Sequence, residues 1–438
     1  MNKKRRSIAP LLMVFLLIVG VVPLGAEVLV QCKGDLNGDA VPDPFLLRPN
    51  GNPTSNPNPD YDPNVQCIHL TGSDGFANMA DGKPLYIFSF ADVTGTPEAD
   101  TMEEGILKAA WPAPLIAVDE GMEFYLTLTN VGMLIRPDLF DPHTIHFHGF
   151  PNASSVMDGL PESGLSINMG ASLTYYYNLV DAGTFMYHCH VEATEHMQMG
   201  MLGNLYVRPI QNRLPDGQDL DGHMHSNPDY NTVLGLDDPL VGDTYVYNDG
   251  DGSTRYDVEA ALQLGGFDPD FHDASWFVQP LPFALMRDRY PMINGRGYPD
   301  TVNTGAMSQP LDPDTGEDLN GPTVDSQVEH SLVTATAGDL ILLRLSNLNI
   351  TETHTLTSPS IPMTVVGIDS RELRSADGLT SLHYKTNSVN LGGGMAADVI
   401  LDTELVAPGT YFLYTSNLNY LSNNEEDFGG MMTEIVIN

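Results

Sequence analysis

The chain has 438 residues, with 57 acidic against 19 basic side chains and a formal net charge of −38. That length predicts two to three domains with full apolar cores, and the ordinary apolar content argues against wholesale disorder. So acidic a surface repels nucleic acid and anionic membranes and favours cations and basic partners.

Lys3, Lys4, Arg5 and Arg6 precede the apolar run Leu11–Val22 and the small-residue stretch Pro23-Leu24-Gly25-Ala26. A charged start, a short apolar run and a small-residue cleavage site predict a signal peptide over 1–26. An uncleaved anchor is the rival reading. No later apolar run reaches spanning length, so the expectation is a processed, exported chain without a membrane span, in the periplasm or outside the cell.

Residues 27–80 are rich in Asp, Asn, Pro and Gly and form a predicted N-terminal segment. Cys32 and Cys67 flank much of it and can close it as a disulfide in an oxidising compartment. Asp35, Asn37, Asp39 and Asp43 place oxygen side chains as at the start of a calcium loop, but Leu46 stands where its last acidic residue belongs. A run of Asx-turns is the alternative.

From about Pro84 the pattern turns to β. Phe124, Leu126 and Leu128 alternate with Tyr125, Thr127 and Thr129, and Leu173–Leu179 repeats the alternation. The predicted fold is all-β: two Greek-key sandwich domains, at 81–208 and 246–438, joined by a polar connector at 209–245 that carries His223 and His225. Leu311–Pro322 reads as an exposed insertion. Gly121–Asn130 parallels Gly338–Asn347, and Ala182–Tyr187 parallels Pro408–Leu413. Continuing that register sets Tyr414, Thr415 and Ser416 against His188, Cys189 and His190, so the second copy keeps the strand without these ligands.

The densest ligand cluster is Gly183–Met201, with His188, Cys189, His190, His196 and Met201. A thiolate, an imidazole and a thioether on one short loop match a type 1 copper site, with a second imidazole from His143–Gly149. Alternation along a strand sends Cys189 to one face and His188 and His190 to the other, and likewise pairs His146 with His148. His272 and His354, unpaired in the second half, read as hydrogen-bonded structural histidines.

At these residues the chain resembles the multicopper oxidase family. His143-Thr144-Ile145-His146-Phe147-His148-Gly149 is similar to its H-x-x-H-x-H-G motif, Tyr187-His188-Cys189-His190 to its H-C-H motif, Met157-Asp158-Gly159 to its aspartate segment, and Ile293–Pro299 to a turn of a ligand-free domain. The resemblance implies cupredoxin-like domains and a type 1 copper on His143, Cys189, His196 and Met201. It further implies type 2 copper on His146, type 3 copper on His148, His188 and His190, and Asp158 as a proton donor. Its partners would be O2 and a small-molecule, metal-ion or protein reductant, in a homotrimer whose subunits share ligands.

Two departures stand out. Six residues separate Cys189 from His196, more than in three-domain members, and the second domain offers no H-x-H pair to complete a trinuclear cluster. A neighbouring subunit or other protein, a mononuclear copper on the four histidines, or no second metal are the open outcomes. The rival functions are a blue-copper electron-transfer module, a nitrite-reductase-like enzyme, and a copper-sequestering or surface-assembly protein.

Overall fold

The computed structural model describes residues 28–150, 154–213, 244–321 and 324–438. The expected leader and the connector histidines His223 and His225 lie outside these residues.

Eight strands build the first sandwich: β1 (Val65–Asn78), β2 (Pro84–Asp92), β3 (Ala113–Asp119), β4 (Glu123–Gly132), β5 (His146–His148), β6 (Ser172–Asn178), β7 (Gly183–His188) and β8 (Leu202–Arg208). They form sheets ordered β2-β1-β4-β6 and β3-β8-β7-β5. The first sandwich therefore begins at Val65, and a boundary at 81 would split the β1–β2 hairpin. The run Gly72–Gly75 in β1 lacks the alternation that marks a strand in sequence; its pairing with both β2 and β4 makes it one.

The apolar side of β4, Phe124, Leu126 and Leu128, is wholly buried in the core between the sheets. Thr127 and Thr129 on its other side are buried too, because the N-terminal segment lies over that face. The Cys32–Cys67 disulfide ties this segment to β1, and Val30, Ala40, Val65 and Cys67 form a small core of their own. Thr127 and Thr129 spend their hydroxyls on Thr174 and Ser172, so their burial leaves no orphaned donor.

Asp35, Asn37, Asp39 and Asp43 form a knot of Asx-turns. Asp35 accepts from the Asn37, Gly38 and Ala40 N–H groups, Asp39 from Val41, and Asp43 from Leu36. These carboxylates are turned onto the backbone, which is the arrangement the Asx-turn alternative expects.

The second sandwich repeats the first. Its strands are β9 (Val258–Phe267), β10 (Tyr290–Ile293), β11 (Val333–Ala335), β12 (Leu340–Asn347), β13 (His354–Thr357), β14 (Met363–Ile368), β15 (Ser388–Leu391), β16 (Met395–Asp402), β17 (Gly409–Thr415) and β18 (Met432–Ile437). Sheets run β10-β9-β12-β16-β14, where the short strands Arg371–Glu372 and Tyr384–Thr386 also pair with β14, and β11-β18-β17-β13-β15. The parallel pairs β1·β4 and β3·β8 recur as β9·β12 and β11·β18. The insertion is exposed over most of Leu311–Glu317, as expected, but its end reaches the first domain: Asn320 is buried and bonds both the N–H and the carbonyl of Phe76 at 2.8 Å.

A buried charge network clamps the two domains behind β7. Arg344 pairs with Glu259 at 2.7 Å and with Asp398 at 3.4 Å. Asp398 also accepts from Thr184 on β7 and from Tyr247, both at 2.5 Å. Burial by itself would raise the Glu259 carboxyl; the cations of Arg344 and Arg208 outweigh it and hold it at about 2, below its ordinary 4.5. A depressed carboxyl stabilises the fold above its unfolded value and loses that contribution as protons return. The melting temperature is therefore expected to fall between about pH 4.5 and 2, and Glu259→Gln to flatten that fall, as calorimetry over this range would show.

Candidate copper centres

Two ligand strands carry the site, and the core decides which way each side chain points. Phe147 is buried and stacks on Tyr177 at 4.3 Å, which turns its neighbours His146 and His148 to the opposite face. On the adjoining strand Tyr187 and Cys189 go inward, and His188 turns outward beside His146, its register partner.

Inside the first sandwich, Cys189 Sγ lies 3.2 Å from His196 Nδ1 and 4.0 Å from His143 Nδ1. All three residues are 0 % exposed. Among the described residues, His143–Cys189–His196 is one of two groups close enough to share an ion; Asp141–Glu192–His196 is the other. Met201 is also wholly buried and is tied by backbone hydrogen bonds to Cys189 at 3.0 Å and His196 at 2.8 Å. Met197 lines a neighbouring cavity, and Met199 belongs to the domain core.

The long Cys189–His196 spacing has a local cause. The intervening chain enters a short helix, α1 (Ala193–Met199), through Glu192 in the left-handed region at φ +44°. One turn of that helix brings His196 back over the sulfur. His143 fits because residue 72 is glycine: a Cβ there would stand 2.8 Å from His143 Cδ2. Gly72→Ala is expected to displace that ring, at a cost of about 1–3 kcal/mol for an overpacked core. A shifted blue absorption band and weaker copper retention, read by spectrophotometry during chelator titration, would report it.

Burial pushes the Cys189 thiol up to about 11 and the His196 imidazole down to about 4, and it holds His143 well below its usual value. The unloaded set is thus neutral, while His143 Nε2 and His196 Nε2 are buried without partners. One sulfur and two imidazoles, desolvated and facing one another, suit a soft-to-borderline ion such as copper, whose binding would displace the thiol proton.

On the outer face, His146 lies within 5.2 Å, ring to ring, of both His188 and His190, and 6.0 Å from His148. The His146 Nδ1–H donates to the Asp158 carbonyl at 2.7 Å, and the His188 Nδ1–H to the Cys189 carbonyl at 2.8 Å. A carbonyl only accepts, so each ring keeps Nε2 free as a ligand. The Asp158 carboxylate is 3.5 Å from the same His146 nitrogen. No three of these four histidines form a group close enough to share one ion. His148 and His188 open onto a cavity of about 520 Å³ whose far wall, including Asn349, Thr351 and Glu352, comes from the second domain and, among the described residues, holds no imidazole.

Fold and site together define a two-domain cupredoxin-like protein whose His143–Cys189–His196 group lies in its first domain. Multicopper oxidase family models match residues 94–212 and 285–438. The chain belongs to the multicopper oxidase family, whose metal is copper. The laccase abr2 of Aspergillus fumigatus is 32% identical over 124 residues, which are 27% of this chain and 19% of that protein. The multicopper oxidase MmcO of Mycobacterium tuberculosis is 34% identical over 80 residues, 18% and 14% of the two chains. These matches thus span under a fifth of either relative. Among solved structures, the blue copper oxidase from Nitrosomonas europaea superposes with a TM-score of 0.56 at 21% identity over 85% of each chain. The multicopper oxidase mgLAC gives 0.55 at 20% identity over 85% and 86%. At these identities the structural likeness establishes the fold.

Proposed function

We propose that this chain is an exported oxidase that takes single electrons from an outer reductant at a type 1 copper on His143, Cys189, His196 and Met201. A second copper site on the outer histidine face would spend them on O2. The observation that carries this reading is the junction at His188-Cys189. Sulfur and imidazole sit on opposite faces of one strand, and the His188 ring bonds back to the Cys189 carbonyl. The bound copper ions would supply one-electron redox chemistry and the binding of oxygen. The chain's own part is to bury the sulfur, to fix His146 and His188 with Nε2 outward, and to hold the Asp158 carboxylate beside His146 for proton delivery.

Among the described residues the cavity's second-domain wall carries no imidazole, and a neighbouring copy or another protein is the proposed source of the missing ligands. Anaerobic reduction of copper-loaded protein, followed by oxygen, tests the proposal. The blue band should return on a catalytic timescale, and its failure to do so would end the oxidase reading. The same bare wall favours one second reading, a blue-copper electron-transfer protein with an acidic docking surface. One copper per chain with only a type 1 EPR signal would establish that reading instead.

A further inference from the structure

The second domain retains the outline of the Cys189 site. β13 meets β17 with Thr357 opposite Tyr414 and Leu356 opposite Thr415, as β5 meets β7 with His146 opposite His188. Carried three residues back along β13, that register puts His354 where His143 stands, and Thr415 where Cys189 stands. Backbone hydrogen bonds fix the other two positions. The Thr415 N–H donates to Met431 at 3.0 Å, as Cys189 does to Met201 at 3.0 Å. The Met431 N–H donates to Tyr420 at 2.9 Å, as Met201 does to His196 at 2.8 Å. The rings agree: His354 and Tyr420 are 5.2 Å apart at 72°, His143 and His196 5.2 Å apart at 64°.

This second pocket therefore has histidine, threonine, tyrosine and methionine at the four ligand positions, and His354, Thr415 and Met431 are each no more than 1 % exposed. The expectation that His354 is held by hydrogen bonds is not met: among the described residues neither of its ring nitrogens has a partner. A buried imidazole orphaned at both nitrogens is costly, unless something sits against it. In the first domain His143 and His196 are orphaned at Nε2 alone, and their Nδ1 atoms are the ones that face the Cys189 sulfur.

We propose that the second domain holds a metal site of its own, a cuprous-ion site on the His354 imidazole and the Met431 thioether. The donors decide the ion. Without thiolate or second imidazole the pocket lacks what cupric type 1 copper requires, whereas an imidazole with a soft thioether suits Cu(I) at low coordination number. The Tyr420 hydroxyl is engaged by Glu352, and the Thr415 hydroxyl accepts from the Asn417 N–H at 3.3 Å, so neither competes for the ion.

The test uses the full chain with its first-domain sites already copper-loaded, titrated anaerobically with Cu(I) against the chromophoric chelator bathocuproine disulfonate. Wild type should retain one more Cu(I) per chain than His354→Ala or Met431→Leu, and the blue band of the oxidised protein, recorded before Cu(I) is added, should be the same in all three. Met431→Leu conserves volume and so guards against a folding defect in the other variant. Thr415→Cys, which places a thiol at the vacant sulfur position, should tighten retention at least tenfold. Equal copper counts in wild type and both variants, or no tightening in Thr415→Cys, would overturn the site. The blue band and oxygen turnover depend on the first domain, so either result leaves the oxidase proposal to its own test.

Discussion

Cys189→Ser is expected to abolish the blue band completely and to lower turnover with any reductant by a factor on the order of 10³ or more, about 4 kcal/mol of barrier. A hydroxyl at that position offers neither the soft donor nor the charge-transfer absorption of a sulfur–copper bond. The fold should survive, because the cysteine sits among Ile145, Phe147, Tyr175 and Met201 in a core that tolerates a change of one atom. Visible absorption, EPR and steady-state oxygen uptake on the same preparation would check each part. A serine variant that stays blue would mean that the sulfur is no ligand and that the site has been misassigned.

His146→Ala should do the opposite. The variant is expected to keep its blue band and to accept an electron from the reductant. Copper should be lost from the outer face, and turnover with oxygen should fall by about 10²-fold or more, close to 3 kcal/mol. His146 is the hub of that face, within 5.2 Å of both His188 and His190 and anchored by Asp158, while its strand neighbour Phe147 points the other way. Stopped-flow reduction followed by an oxygen pulse separates the two steps. Unchanged oxygen turnover in this variant would favour the electron-transfer reading over the oxidase one.

Much of the site was legible in the residues because its geometry is local. Strand alternation puts Cys189 on one face and His188 on the other without reference to the rest of the fold, and His143, His146 and His148 obey the same rule one strand away. The internal repeat was legible for a similar reason: its copies run without gaps in the two strands that cross each core, where alternation of buried residues restricts substitution. His354 was not legible as a pocket residue. Its counterpart to His196 is a tyrosine eleven residues before Met431, where His196 lies five before Met201, and only backbone hydrogen bonds reveal the equivalence. The reach of Asn320 to Phe76, across 244 residues, was equally out of sight.

The sequence by itself determined the β class, the duplication and the cluster of candidate ligand types in the first half, because each rests on residue chemistry or on a period of two along one strand. Tertiary structure alone decided where the first domain begins, how the long ligand loop closes over the sulfur, and that the cavity beside His148 and His188 has, among the described residues, a far wall without imidazoles. It also decided that a buried, unpartnered histidine in the second domain stands beside a tyrosine. Those features are set by which segments meet across the fold, and pairing between strands far apart in the chain leaves no periodic trace in either of them.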